Sequence, residues 1–95
     1  MNNYELMFIL KTSLEDEARA DLIKRFTELI TQNGGTIDKI DEWGQRTLAY
    51  PIQKLNDGYY VLVTFASDGE LPKEIERNLK IADNVIRYMT VRLDD

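Results

Sequence analysis

The sequence predicts an α+β fold in which a four-stranded antiparallel sheet carries two helices on one of its faces. Segments with the composition of strands alternate with segments of helical spacing in the order βαββαβ. Two strand–helix–strand crossovers around a hairpin then place the strands in the spatial order 4-1-3-2, with all neighbours antiparallel. This architecture is the ferredoxin-like split βαββαβ sandwich. With 95 residues and no long linker, the chain is predicted to form a single domain over residues 1–95.

The first strand and the first helix follow regular patterns. Asn3 to Leu10 is apolar at both alternating sets of positions, which is typical of a central strand. Thr12 or Ser13 is expected to cap the following helix, which continues to about Gln32. The residues predicted to form its buried stripe are Ala18, Leu22, Phe26, Leu29 and Ile30. Asn33-Gly34-Gly35 is expected to end the helix, with a glycine in the left-handed position.

The second strand is predicted over Thr36 to Tyr50, and its pattern is irregular. Ile37 and Ile40 break strict alternation, so a bulge or a register change is expected, and Gly44 offers a second place for a bend. Pro51 ends the pairing or confines the strand to an edge of the sheet. An edge position agrees with the outer place of this strand in the predicted order.

The second half of the chain supplies the remaining strands and the second helix. Asn56-Asp57-Gly58 is a turn signal before a strongly β-prone strand from Tyr59 to Phe65. Pro72 suits the first turn of a helix whose inward residues are predicted to be Leu71, Ile75 and Leu79. Asp83-Asn84 is expected to end that helix, and the last strand is predicted over Val85 to Leu93.

The face of the sheet opposite the helices, called the open face below, has no predicted cover of its own. Strand parity places six candidate partner-binding residues there: Met7, Ile9, Tyr60, Leu62, Met89 and Val91. Arg87 is also predicted to point outward, whereas Ile86 and Tyr88 are predicted to point inward. An exposed apolar patch on a monomer usually marks an interaction site. The alternative is that long polar neighbours or the C-terminal tail cover this patch.

The composition excludes several classes of function. The chain has no Cys and no His, so it lacks the commonest general base and the commonest metal ligand. A hydroxyl nucleophile paired with His is impossible within one chain, and no converging polar pocket is visible. Catalysis by carboxylates alone is still open, so an enzyme is disfavoured and not excluded. The prediction is a protein that is not an enzyme, with no cofactor and no small-molecule substrate. No apolar run approaches the ~20 residues that span a bilayer, so no membrane partner is expected.

The charge of the chain is acidic but uneven. The net charge is −5, which argues against strong nucleic-acid binding by the chain alone. Residues 1–45 carry five basic and nine acidic side chains, whereas residues 46–95 carry seven and eight. Candidate phosphate contacts in the second half are Arg46, Lys54, Arg87 and Arg92, with Lys80 as a weaker addition. The alternative is that these residues are ordinary solubilising charges.

Several segments resemble one family in order and spacing. The stretch from Gly44 to Ile52, GQRTLAYPI, resembles the signature of the sixth protein of the bacterial small ribosomal subunit. Asn3-Tyr4-Glu5, Asp57-Gly58-Tyr59-Tyr60 and the run from Asp83 to Met89 fit the family's first, third and fourth strands. The resemblance covers nearly the whole chain. The segments together are specific, whereas one segment alone is weak.

This resemblance implies a role that composition does not reveal. Members of the family are structural constituents of the 30S subunit in the cytoplasm. They pair with the basic eighteenth protein of that subunit, and the pair binds the central domain of 16S ribosomal RNA on the platform. A cationic partner would explain how an acidic domain belongs to an RNA particle. In this interpretation Leu48 anchors the edge strand to the core, while Arg46 and Tyr50 are displayed for the partner protein or RNA.

Other functions of the same topology remain open at this point. A stand-alone RNA-recognition domain carries aromatic residues in its third strand after a basic residue and Gly. Here Asp57 is acidic, and aliphatic residues replace the later aromatic, which disfavours sequence-specific binding of single strands. A protein-interaction domain without RNA is the other alternative.

Overall fold

The computed structural model describes residues 1–52 and 55–93, with side chains described for residues 1–48 and 56–93. Its elements are β1 (Asn2–Leu10), α1 (Asp16–Gln32), β2 (Thr36–Ile52), β3 (Leu55–Ser67), α2 (Leu71–Ile81) and β4 (Val85–Arg92). The strands form a four-stranded sheet in the order β2-β3-β1-β4, and every neighbouring pair is antiparallel. The predicted split βαββαβ sandwich and its strand order are therefore confirmed.

The core lies between the sheet and the two helices. Alternate residues of β1 and β3 point into it: Tyr4, Leu6, Phe8, Leu10, Val61, Val63 and Phe65. The helix residues packed on them are Ile23, Phe26 and Ile30 of α1 and Leu71, Ile75 and Leu79 of α2. The Phe26 ring meets the Phe8 ring edge-on, with the ring centroids 5.5 Å apart. Both helices therefore cover the same face of the sheet, as predicted.

The start of α1 differs from its predicted form. The helix begins at Asp16, and its N-cap residue Glu15 makes no side-chain capping hydrogen bond, so the predicted cap by Thr12 or Ser13 is wrong. The Thr12 hydroxyl instead donates to Asp57 Oδ1 at 3.3 Å. This contact directs the Thr12 side chain toward β3 and away from the helix terminus.

The buried stripe of α1 is also shifted from the prediction. Ile23, which the prediction missed, is buried, and Leu22 and Leu29 are only partly buried against the core. Ala18, predicted to be inside, is exposed. Leu22 and Ile23 are neighbours on the helix, and helical periodicity alone does not decide which of them is buried more deeply.

Two glycines supply the backbone conformations that end α1 and bend β2. Gly34 has φ 86° and Gly44 has φ 84°, a region that other residues rarely adopt. The left-handed end of α1 is therefore confirmed. The register of β2 against β3 shifts between Ile37 and Lys39, and again just before Gly44. The predicted bulge and the predicted bend are both present.

Gly58 has a packing role where the sequence indicated a turn. Asn56 to Gly58 lie inside β3, which begins at Leu55, and Gly58 pairs with Arg46 of β2. The predicted turn at these residues is therefore wrong. A Cβ atom on Gly58 would overlap the Cγ2 atom of Ile9 on the neighbouring strand. Glycine is needed at this position because the Ile9 side chain of β1 occupies the space that a Cβ atom would fill.

The residues around Gly58 form a second apolar cluster on the open face, called the Gly58 cluster. Its members are Ile9, Leu48 and Ile86; a Cβ on Gly58 would lie 3.6 Å from Leu48 Cδ2 and 3.7 Å from Ile86 Cδ1. Ile9 is 3% exposed and Leu48 is 7% exposed, yet neither belongs to the main core. Leu48 is therefore anchored as predicted, but to this cluster and not to the core under the helices.

Ile86 reaches the open face through an irregularity in β4. Ile9 pairs with Arg87 and Leu10 pairs with Val85, so Ile86 is an extra residue between two pairs. The prediction that Ile86 points inward is wrong, because strict parity does not survive such a shift. Tyr88, beyond the shift, packs against the main core as predicted.

A cluster of polar contacts joins α1 to the sheet. The Arg19 guanidinium lies 4.1 Å from the centroid of the Tyr59 ring and donates to Asp16 Oδ1 at 2.7 Å. The Tyr59 hydroxyl donates to Glu42 Oε1 at 2.8 Å. Burial, followed by the bond to Glu42, raises the pKa of Tyr59 above 10.0. The folded chain therefore holds the phenolic proton more tightly than the unfolded chain.

This raised pKa predicts a loss of stability in alkali. The stability linked to the Tyr59 proton is fully present below the ordinary tyrosine pKa of about 10 and is lost as pH rises through the higher folded value. We expect the free energy of unfolding to fall less between about pH 9 and about pH 11 in Tyr59→Phe than in the native chain. Urea denaturation at both pH values measures this difference. Equal falls in the two proteins would contradict the assignment.

Candidate protein and RNA interface

An apolar row crosses the centre of the open face. Leu62 of β3 pairs with Met7 of β1, and Met7 pairs with Met89 of β4, so the three side chains lie side by side across three strands. Val91 is the next outward residue of β4. Met89 is 46% exposed and Val91 43% exposed, while Met7 and Leu62 are partly buried. We call Met7, Leu62, Met89 and Val91 the apolar row.

An aromatic depression lies beside this row, toward β2. Trp43 and Tyr60 are stacked with their ring centroids 6.3 Å apart and their planes 13° apart. Together with Arg46 they line an open depression of about 440 Å³. The Trp43 Nε1–H donates to Asp41 Oδ2 at 3.1 Å, which fixes the orientation of the indole. Trp43 is 44% exposed even so.

The structure separates the candidate phosphate contacts. Arg46 pairs with Gly58 and Arg87 pairs with Ile9, so both are exposed side chains of the open face. Arg92 pairs with Tyr4, whose side chain faces the helices, so Arg92 does not lie on the open face. The Nη2 atom of Arg92 donates to Asn2 Oδ1 at 3.0 Å. Lys80 is exposed on α2, on the other side of the molecule. Lys54 lies outside the described residues.

The candidate partner-binding residues differ in their exposure. Met7, Tyr60, Leu62, Met89 and Val91 lie on the open face with part of each side chain exposed. Ile9 lies on the same face, but the Gly58 cluster buries it, so the expectation that it is available to a partner is corrected. The side chain of Tyr50 lies outside those described.

Trp43 lies on this face, although the sequence did not indicate it as a candidate partner-binding or RNA-binding residue. An unbroken strand would place it on the same side as Gln45 and Thr47. The register shift before Gly44 changes that parity, and the indole meets Tyr60 instead. The signal in the sequence is Gly44, because a bend at this residue changes the parity of the residue before it.

Among residues 1–52 and 55–93, no group of three acidic, His or Cys side chains could hold a metal ion. No helix in the same residues is long and apolar enough to cross a membrane.

Comparison with known proteins identifies the family. A family model described as "Ribosomal protein S6" matches residues 3–92. The chain belongs to the ribosomal protein S6 family. It is 53% identical to the small ribosomal subunit protein bS6 of Alkaliphilus oremlandii over 94 residues, which covers 99% of each chain. It is 50% identical to bS6 of Caldanaerobacter subterraneus subsp. tengcongensis over 95 residues, with both chains fully covered.

A solved structure of this family has the same fold. The 30S ribosomal protein S6 of Thermotoga maritima superposes with a TM-score of 0.91 at 35% identity, covering 96% of this chain and 86% of that one. The S6 family consists of structural proteins of the small ribosomal subunit and not of enzymes, as the sequence predicted. Membership likewise agrees with the predicted location, in the ribosome of the cytoplasm.

Proposed function

We propose that this chain binds the central domain of 16S ribosomal RNA together with the eighteenth small-subunit protein, and that its open face is the shared contact surface. One observation carries the proposal: the apolar row and the aromatic depression lie side by side on the sheet face that neither α1 nor α2 covers. Apolar side chains that stay exposed across three strands are the pattern expected of a surface that a partner buries.

The charges of the open face support a partner in an RNA particle. Three basic residues point outward from paired positions, namely Lys39, Arg46 and Arg87. The acidic residues of this face are Glu5 and Asp41, with Asp38 at the bulge beside Lys39. The chain as a whole has a net charge of −5. The open face is therefore less acidic than the rest of the chain, which suits contact with phosphates beside an apolar protein contact.

The overall acidity makes the partner protein necessary for strong RNA binding. Each phosphate contact releases counterions, so affinity for RNA depends on the number of basic groups that face it. Lys39, Arg46 and Arg87 are too few to outweigh repulsion from the remaining acidic surface. A basic partner that binds the acidic chain would supply further cations and would also be attracted to it over a distance.

The proposal predicts cooperative, salt-sensitive binding. We expect a central-domain 16S RNA fragment to bind the purified chain weakly alone and tightly when the eighteenth protein is present. The logarithm of the affinity should fall with the logarithm of salt concentration, with a slope of about −0.9 for each phosphate neutralised. Mobility-shift titrations at several salt concentrations measure both effects.

Two results of this titration would contradict the proposal. Tight binding by the chain alone would show that its own basic residues form a complete RNA site, as in a stand-alone RNA-recognition domain. Failure of the chain, the eighteenth protein and the RNA to associate in any combination would contradict the proposal and favour a protein-interaction domain that does not bind RNA.

A further inference from the structure

The aromatic depression differs from the apolar row in its chemistry. The row consists of flexible or aliphatic side chains, whereas the depression offers two parallel rings and a guanidinium. Trp43 is stacked on Tyr60 on one side, and its exposed fraction of 44% leaves aromatic surface for a further contact. A flat ring can continue such a stack, and the volume of about 440 Å³ leaves room for it.

The depression is organised before any ligand enters it. The bond from Trp43 Nε1 to Asp41 holds the indole plane, and Gly44 with φ 84° creates the bend that brings Trp43 over Tyr60. Both features fix the ring without help from a partner. A stacking surface that is already ordered loses little conformational entropy when a ligand binds.

The charges in the depression favour a ligand that carries a phosphate. The carboxylate of Asp41 is engaged by the Trp43 indole, and that of Glu42 accepts from Tyr59. Arg46 is exposed and forms no ion pair with any described residue. Within the described part of the chain, the Arg46 guanidinium therefore lies beside the rings without a carboxylate partner. Arginine in this position can pair with a phosphate or stack on a base.

We propose that the aromatic depression receives one unstacked base of ribosomal RNA, which stacks on Trp43 while its phosphate pairs with Arg46. An aliphatic side chain of a protein would gain as much from the apolar row, whereas parallel rings beside a guanidinium fit a flat base joined to a phosphate. Stacking on an aromatic ring tolerates every base, so the site selects an unpaired nucleotide and not a sequence. This inference rests on the proposed function and divides the open face between protein and RNA.

Trp43 is the only Trp of the chain, so its fluorescence reports directly on the depression. The test uses the complex of the chain, the eighteenth protein and the central-domain 16S RNA fragment. The Trp43 signal is the difference between the native chain and Trp43→Phe in otherwise identical samples. We expect this signal to be unchanged when the protein partner binds and to be quenched when the RNA fragment is added, because a stacked base quenches indole emission.

A pair of variants distinguishes stacking from general apolar contact. Trp43→Leu keeps an apolar side chain but removes the ring, and we expect it to weaken RNA binding by the protein pair about 5- to 150-fold. Trp43→Phe keeps a ring, and we expect a loss of no more than about threefold. Affinity between the two proteins, measured without RNA by calorimetry, should be the same for both variants within about threefold.

The outcomes separate this inference from the proposed function. Quenching by the eighteenth protein alone would mean that a protein side chain fills the depression, and equal RNA affinities for the two variants would mean that no base stacks there. Either result overturns the inference while leaving the proposed complex intact. Absence of any complex in the mobility shift overturns the proposed function and this inference together.

Discussion

Gly58→Ala is expected to destabilise the protein by about 1–3 kcal/mol, the usual cost of overpacking a well-filled site. The added Cβ would overlap Ile9 Cγ2, and Leu48 and Ile86 stand close behind it. Ile9 is almost fully buried on a central strand, so it cannot move aside without shifting β1 or β3. The substitution therefore strains the Gly58 cluster and, through it, the pairing of the two central strands. Urea denaturation at neutral pH measures the change.

A second glycine provides the matched control. Gly69 lies in the loop before α2, and a Cβ there would have its nearest neighbour at 4.0 Å, the Tyr4 hydroxyl. Neither glycine has a positive φ, so backbone strain does not differ between them. Gly69→Ala should leave stability within about 0.5 kcal/mol of the native chain or raise it slightly, because alanine lowers the entropy of the unfolded state.

A double-mutant cycle identifies the overlap with Ile9 as the cause. Ile9→Ala alone should cost about 2–5 kcal/mol, because it leaves a cavity in the cluster. The space it opens is the space that the methyl group introduced by Gly58→Ala needs. The double variant should therefore be more stable than the sum of the single changes predicts, by about 1 kcal/mol or more. Additive costs, or a Gly58→Ala variant as stable as the native chain, would contradict the packing role of Gly58.

Gly58 also shows why part of the fold could not be predicted from the sequence. Asn-Asp-Gly is a turn signal because each of its residues tolerates turn conformations. The side chain that requires glycine at position 58 belongs to Ile9, 49 residues earlier in the chain, and the local sequence pattern does not indicate this contact. The long regular elements were predictable because periodicity is a local property. Contacts across the sheet become visible only once the register is known.

Strand parity predicts the residues of the open face correctly except next to a bulge. Met7, Leu62, Met89 and Val91 lie outward as predicted, because β1 and β3 pair without interruption over these residues and β4 follows them. Ile86 and Trp43 lie next to register shifts, and each of them is found on the face opposite to the one that simple alternation gives. A one-residue shift exchanges the two faces of a strand, so an error at one bulge changes the composition of the predicted surface.

A substitution at Met89 is the most direct test of the function proposed for the open face. We expect Met89→Glu to weaken binding of the eighteenth protein at least about 100-fold, since an unpaired charge buried in an apolar contact costs several kcal/mol and each 1.4 kcal/mol is tenfold in affinity. Met89 is 46% exposed, and it belongs to the part of the apolar row that lies on the edge strand β4, so the substitution should leave the fold intact. Calorimetric titration of the two proteins measures the affinity, and circular dichroism checks the fold.

Ile81→Glu is the matched control for this change. Ile81 is also an exposed apolar residue, at 69%, but it ends α2 on the helical side of the molecule. Both variants replace an apolar side chain by the same charge and alter the net charge equally, so general repulsion and loss of apolar surface affect them alike. Only the position relative to the open face differs. Equal loss of affinity in the two variants, or none in either, would mean that the partner does not bind across the apolar row; a loss confined to Met89→Glu would place it there.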